Sequence, residues 1–288
     1  MSHLHSRSLR RTIKDQSVPK ASPPLILVTN DDGVHSPGLQ AAAKAVLPLG
    51  ELIIAAPRWQ QTSAGRSLPA LFTGRIYEEE LEVDDQRLLA YAVEGSPAQA
   101  VQHAVLELIP RPPDLLVSGI NYGENLGTGV TVSGTVGAAL EGATFGVVGL
   151  AASLGVERQH HRSHSKEVNF ETATYFTRYF ARLLLAQNMP FDADLLKLDV
   201  PADATPETPW RLTRVSRQRH FVPVASRGRV LDLPSPIDYQ QKLDPERLEP
   251  DSDIYAFVIE HIVSLSPISI DLTSRVDLKQ FEQQLREI

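Results

Sequence analysis

The sequence predicts an α/β fold built on a mostly parallel sheet. Short apolar runs recur along the chain and read as buried strands: Leu25 to Thr29, Glu51 to Ala56, Asp114 to Ser118, Val147 to Ser153 and Leu195 to Val200. Stretches of helical spacing separate them, which makes strand–helix–strand units with right-handed crossovers. Several runs stop abruptly in polar, glycine-rich loops, as strands do where a parallel sheet meets a ligand.

Taken in order, the first run ends in Asn30-Asp31-Asp32-Gly33. Ser36-Pro37-Gly38 then opens an alanine-rich helix from Leu39 to Leu47, with a capping serine and a proline at a first helical position. The second strand closes at Pro57, and a polar loop runs from Arg58 to Ser67. Residues 69–94 read as a hairpin excursion, turning at Val83-Asp84-Asp85-Gln86. Ser96-Pro97 starts a helix from Ala98 to Leu108. After the third strand, Gly- and Asn-rich loops lead to a helix from Thr135 to Phe145 whose small residues imply close packing on the sheet. Phe170, Ala173, Phe176, Phe180, Leu183 and Leu184 mark an amphipathic helix within residues 169–187. From Pro201 to about residue 250 the chain is rich in Pro, Arg and Asp, a β-rich arm with short strands such as Arg211 to Val215. Tyr255 to Ser264 reads as a strand and Val276 to Ile288 as a terminal amphipathic helix.

Composition narrows the function. The 288 residues are 42% hydrophobic, enough for one large core. Thirty-five acidic against 28 basic residues give a formal charge of −7, which argues against a general nucleic-acid binder. Without cysteine there is neither a disulfide framework nor a thiolate metal site, which fits a cytoplasmic protein. No apolar run approaches the ~20 residues that span a bilayer, so no membrane partner is expected. Residues 1–22 carry Arg7, Arg10, Arg11, Lys14 and Lys20 without an apolar signal core and read as a solvated tail outside the fold.

The chemistry lies at the strand ends. Asp31 and Asp32 stand side by side and repel each other, so a divalent cation is the simplest offset. Parallel strands share one carboxyl edge, which brings the loops at Asp31-Asp32, Thr62-Ser63, Asn121 and Ser133-Gly134-Thr135 together. Asp31, Asp32, a hydroxyl from Thr62 or Ser63, and the amide oxygen of Asn121 make an all-oxygen set suited to Mg²⁺ or Mn²⁺. Ser133-Gly134-Thr135 precedes a helix whose free N–H groups suit a phosphate. The same serine at a helix start is also an ordinary N-cap. No Gly-x-Gly-x-x-Gly follows the first strand, which argues against a nicotinamide dehydrogenase.

Three segments resemble the SurE (stationary-phase survival) phosphatases, metal-dependent 5′/3′-nucleotidases: ILVTNDDGVHSPG at 26–38, VSGINYGENLG at 117–127 and SGTVGAALEG at 133–142. Weaker matches lie at VEGSPA (93–98) and in residues 262–273. The resemblance implies a Rossmann-like core with helices on both faces, a projecting β-hairpin arm, and homodimers or homotetramers with exchanged C-terminal elements. It frames the chain as one unit from residue 23, with 201–250 as the arm and 251–288 as the oligomerisation segment. It also implies one divalent cation per subunit, held by Asp31, Asp32, Thr62 and Asn121, with Ser63 as fallback. Arg66 stands where the family commonly has histidine, a candidate phosphate contact or a surface residue.

The implied reaction is hydrolysis of a nucleoside monophosphate or another small phosphate ester. Asp31 or Asp32 orients or deprotonates the water, and Asn125, Ser133, Gly134 and Thr135 hold the phosphoryl oxygens. His35 is a candidate proton donor to the leaving alcohol. His160, His161 and His164 have metal-ligand spacing in a polar loop where solvation is the simpler reading. Phe221 and Tyr239 are candidates for stacking on a base, with ordinary packing as the alternative. Two rivals remain at this point: a hydrolase that forms an aspartyl-phosphate, and a nucleotide-binding module without turnover.

Overall fold

The computed structural model describes residues 22–161, 163–226 and 228–287. The basic tail at 1–21 lies outside them. The strands are β1 (Leu25–Thr29), β2 (Glu51–Pro57), β3 (Ile76–Val83), β4 (Gln86–Val93), β5 (Leu115–Tyr122), β6 (Gly149–Leu154), β7 (Leu195–Val200), β8 (Trp210–Leu212), β9 (Phe221–Val224), β10 (Asp238–Gln241) and β11 (Val263–Ile268). Nine of them form one sheet in the order β3-β4-β2-β1-β5-β6-β7-β11-β8. From β4 to β7 every pairing is parallel. β3 and β11 pair antiparallel with β4 and β7. The remaining two, β9 and β10, form a separate antiparallel ribbon.

β1 lies between β2 and β5, so the chain leaves it in one direction and later returns on its other side. This is the switch point at which open α/β sheets bind ligands, beyond the carboxyl ends of the strands. Alternation along β1 feeds two cores. Ile26 and Val28 pack with Leu39 of α1 (Pro37–Val46) and with Phe176 and Phe180 of α4 (Glu171–Ala186). Leu27 faces the other way, toward Val101 of α2 (Pro97–His103) and Val136 and Ala139 of α3 (Gly134–Thr144). Each fully buried aliphatic side chain contributes roughly 1.5–3 kcal/mol.

The helix starts follow the capping chemistry in the sequence. Ser36 accepts from the Leu39 amide at 3.1 Å. Ser96 and Gln99 form a reciprocal capping box. Ser133 accepts from the Val136 amide at 3.1 Å. α5 (Leu278–Arg286) is capped by Asp277 and buries none of its residues.

One element differs from the sequence reading. Tyr255 to Ser264 is not one strand: Tyr255–Ile259 is a wide helical turn, and the strand follows at Val263–Ile268. Periodicity cannot separate a short apolar strand from a buried helical turn; here Ser252 decides, its hydroxyl accepting from the Tyr255 amide at 3.2 Å. The hairpin read at 69–94 forms as β3 and β4, which turn between Val83 and Gln86, and β4 joins it in parallel to β2 at the edge of the main sheet.

Candidate active site

Asn30 shapes the tip of β1. Its Nδ2 donates to the Gly33 carbonyl at 3.1 Å and to Ser36 Oγ at 2.8 Å, and its Oδ1 accepts from the Gly33 amide at 3.1 Å. Gly33 has φ +98°, and a Cβ there would lie 3.2 Å from the Trp59 carbonyl carbon, so glycine is required on both counts. This turn fixes Asp31 and Asp32, which are 5% and 2% exposed.

The two carboxylates face different elements. Asp31 Oδ1 accepts from Thr135 Oγ1 at 2.6 Å, and the amides of Gly134 and Thr135 point to the same carboxylate. The N-terminus of α3 therefore already holds an anion, and that anion is Asp31. A Cβ on Gly134 would fall 2.6 Å from the Asp31 Cβ, so only glycine lets helix and carboxylate approach. Asp32 Oδ1 accepts from Gln60 Nε2 at 2.8 Å, and its Oδ2 from the Tyr122 amide at 3.3 Å.

Burial pushes the Asp31 carboxyl above the usual carboxylate range, and the donors on α3 pull it partly back. Asp32 is raised further, by burial first and by the charge of Asp31 second. Neither carboxylate has a Lys, Arg or His ion-pair partner among the described residues. Two adjacent buried anions without a counter-charge fit a cation. Among the described residues no cluster of three or more His, Cys, Asp or Glu could hold a metal, so a cation at this pair would need other oxygens as well.

Candidate oxygens lie on two segments that are bonded to the pair. The loop after β2 is fastened by the Gln61 amide to the Asp31 carbonyl at 2.7 Å and by the Gly65 amide to the Val132 carbonyl at 3.0 Å. Thr62 and Ser63 stand exposed on this loop, Ser63 with φ 62°. On β5, Asn121 donates its Nδ2 to the Gly123 carbonyl at 2.6 Å, which fixes the carboxamide one residue before Tyr122, whose amide reaches Asp32.

Other residues named from the sequence are engaged elsewhere. Asn125 donates its amide to Asp199 Oδ1 and its Nδ2 to Ser153 Oγ, both at 2.7 Å. Gly134 and Thr135 give their donors to Asp31, and Ser133 Oγ accepts from the Val136 amide as the helix cap, which modifies the expectation of an open phosphate cradle. Arg66 pairs with Glu141 of α3 at 2.6 Å. His35 lies 3.9 Å from Glu79 on β3. The three loop histidines do not converge: His161 stacks with Tyr239 and His164 with Tyr122.

Gln60 is a residue that sequence reasoning passed over, since a glutamine in a polar loop carries no signal. Lys197 and Asp199 did carry one. Two opposite charges two positions apart in a buried strand share a face and need each other. Lys197 bonds both Asp199 and Asp253, all three wholly buried.

Fold and site together define an α/β protein of the doubly wound class, with two buried carboxylates at its switch point. Comparison with known proteins narrows the class. Residues 26–221 match the family model described as Survival protein SurE, and the chain belongs to that family. A "5′-nucleotidase SurE" of Thermococcus gammatolerans is 37% identical over 260 residues, covering 90% of this chain and 95% of that one. The protein of the same name from Archaeoglobus fulgidus is 39% identical over 255 residues, 88% and 94% of the two chains. The crystal structure of the SurE protein from Aquifex aeolicus aligns with a TM-score of 0.69 at 26% identity, over 91% of this chain and all of that one.

Proposed function

We propose that the protein is a metal-dependent phosphomonoesterase that hydrolyses nucleoside 5′-monophosphates, and in a wider range 3′-monophosphates, to nucleoside and phosphate. The observation that carries this is the Asp31–Asp32 pair, buried without a counter-charge at the sheet's switch point. The relatives' shared name, 5′-nucleotidase, supports the substrate class.

Asp31, Asp32, Thr62 and Asn121 would hold one divalent cation, Mg²⁺ or Mn²⁺, with Ser63 as the alternative hydroxyl. When bound, the cation supplies neutralisation of phosphoryl charge and acidification of water. Asp31 or Asp32 orients the attacking water and takes its proton. Asp31 accepts from Thr135 and from the α3 amides, which leaves room for one bond to the cation and fixes the carboxylate as a ligand rather than a nucleophile. That favours direct attack by water over an aspartyl-phosphate. The Ser133 oxygen accepts from Val136 and keeps its own proton to donate to a phosphoryl oxygen. Asn125 retains one amide N–H for the same purpose.

A homodimer or homotetramer in the cytoplasm belongs to the same reading. Leu272, Leu278, Phe281 and Leu285 near the C-terminus, and Leu231 and Ile237 on the arm, are exposed apolar side chains that a second copy would cover. No helix among the described residues is long and apolar enough to cross a membrane.

The test is phosphate release from a panel of nucleoside 5′- and 3′-monophosphates, with Mg²⁺, Mn²⁺ or EDTA, for the wild type and Asp32→Asn. Metal-dependent release that collapses in the variant supports the reading. A folded protein that releases nothing with any metal favours a nucleotide-binding module without turnover.

A further inference from the structure

An aromatic group stands beside the carboxylates, drawn from three segments. His161 follows β6, Phe221 lies on β9 and Tyr239 on β10. The His161 and Tyr239 rings lie 8° from parallel with centroids 6.2 Å apart. Phe221 meets them edge-on at 5.6 and 5.4 Å. His161 Nδ1 is 3.1 Å from the Tyr239 hydroxyl. All three residues are only half-buried, unlike Phe176 and Phe180 under the main sheet.

Two links place this group at the site. Gln60 Nε2 donates both to Asp32 Oδ1 and to the His161 carbonyl, at 2.8 and 3.0 Å, so one side-chain amide separates the carboxylate from the aromatic segment. The His161 ring also covers Gly123, where a Cβ would be 2.9 Å from its Nε2, and the Gly123 carbonyl accepts from Asn121. The β9–β10 ribbon is pinned at the same place: His220 lies 2.7 Å from Glu124, and Gln241 donates to that carboxylate at 3.3 Å. A nucleoside monophosphate with its phosphate at Asp32 would reach these rings with its base.

One neighbour of the group can be displaced. The Arg158 guanidinium lies 4.6 Å over the Tyr239 ring and pairs with Asp238, and both side chains are more than half exposed. Such surface pairs contribute little. We propose that Tyr239, braced by His161 and Phe221, is the platform on which the base of a nucleoside monophosphate stacks, taking the place of Arg158. The proposal rests on the nucleotidase reading and adds its substrate recognition. Every base presents a π face, so the platform accepts several bases and gives no help to phosphate esters that lack one.

The experiment compares kcat/KM for adenosine monophosphate with that for glycerol 2-phosphate, which has no ring. Tyr239→Leu is expected to lower the nucleotide value about tenfold, through KM, and to leave glycerol 2-phosphate unchanged. Tyr239→Phe keeps the ring and restores the nucleotide value, and Arg158→Ala does not weaken it. Equal loss on both substrates, or none on either, overturns the proposal. Should Tyr239→Leu not fold, Phe221→Leu carries the same expectation with a smaller loss. If the wild type hydrolyses neither ester, the nucleotidase reading fails by itself. Equilibrium dialysis of adenosine then decides the platform: weaker binding to Tyr239→Leu upholds it, and equal or absent binding overturns it.

Discussion

The hydroxyl of Thr135 donates to Asp31 Oδ1 at 2.6 Å, joining the first turn of α3 to the tip of β1 across 104 positions of sequence. The bond matters because Asp31 is buried and needs donors to remain ionised. Thr135→Val removes one of them and raises the carboxyl further. The acidic limb of the kcat/KM pH profile should move to higher pH, and stability should fall by about 1–3 kcal/mol. Thr135→Ser keeps the donor and should restore both. A Thr135→Val profile that overlays the wild type would show that the α3 amides suffice.

Asp32→Asn separates stability from function. The wild-type pair places two anions side by side, and Asp32 is the one that burial and its neighbour disfavour most. Neutralising it should stabilise the metal-free protein at pH 8 by on the order of 1 kcal/mol while abolishing turnover. Divalent cation should raise the melting temperature of the wild type and leave the variant unmoved. Scanning calorimetry with and without Mg²⁺ checks both. A variant less stable than wild type in EDTA would show that the Asp32 charge is compensated by a route not yet seen.

The same shifts set a pH dependence. Both carboxyls have folded-state values above their unfolded ones, so the folded protein holds protons that the unfolded chain has released. Their contribution is fully present below the unfolded value, about pH 4, and is lost as pH rises through the folded values. The metal-free protein should therefore lose stability between about pH 4 and pH 8. Saturating Mg²⁺ should flatten the slope, because the ionised pair is then matched by charge. Melting curves in EDTA that are flat or rise across this window would contradict the assigned shifts.

Much of the fold was legible because its signals are local. The run at Leu25 is apolar up to Thr29 and buried along its whole length, as a strand covered on both faces must be. Ser36-Pro37, Ser96-Pro97 and Ser133 mark three helix starts through capping chemistry alone. Convergence of Asp31 with the α3 start followed from the shared carboxyl edge of the strands, yet its outcome did not. The sequence shows a helix N-terminus and a carboxylate separately, and only the fold reveals that one occupies the other. Gln60 and the His161–Tyr239 stack were illegible for the same reason, since each depends on which loops meet above the sheet. The helical turn at Tyr255 was misread because its apolar run suits either conformation.

Lys197 provides a prediction that reaches the site from within the core. Its ammonium bonds Asp199 and, at 3.2 Å, Asp253, with no exposure on any of the three. Asp199 accepts from the Asn125 amide at 2.7 Å, and Asp253 from the Gly127 amide at 3.0 Å. The loop that carries Asn125 is therefore suspended from a buried ion cluster. Burial opposes the Lys197 charge, yet the two carboxylates outweigh it and hold the ammonium protonated. Lys197→Met leaves both anions without their counter-charge and should cost about 3–5 kcal/mol in urea denaturation. Adding Asp199→Asn removes one stranded charge while its oxygen still accepts from Asn125, so the double variant should recover part of that loss. Phosphate release should follow the same order, because the loop regains its anchor before the core regains its charge balance. A neutral Lys197→Met would show that the loop is held by its other contacts, chiefly Asn125 to Ser153 and Thr128 to the Gln218 carbonyl.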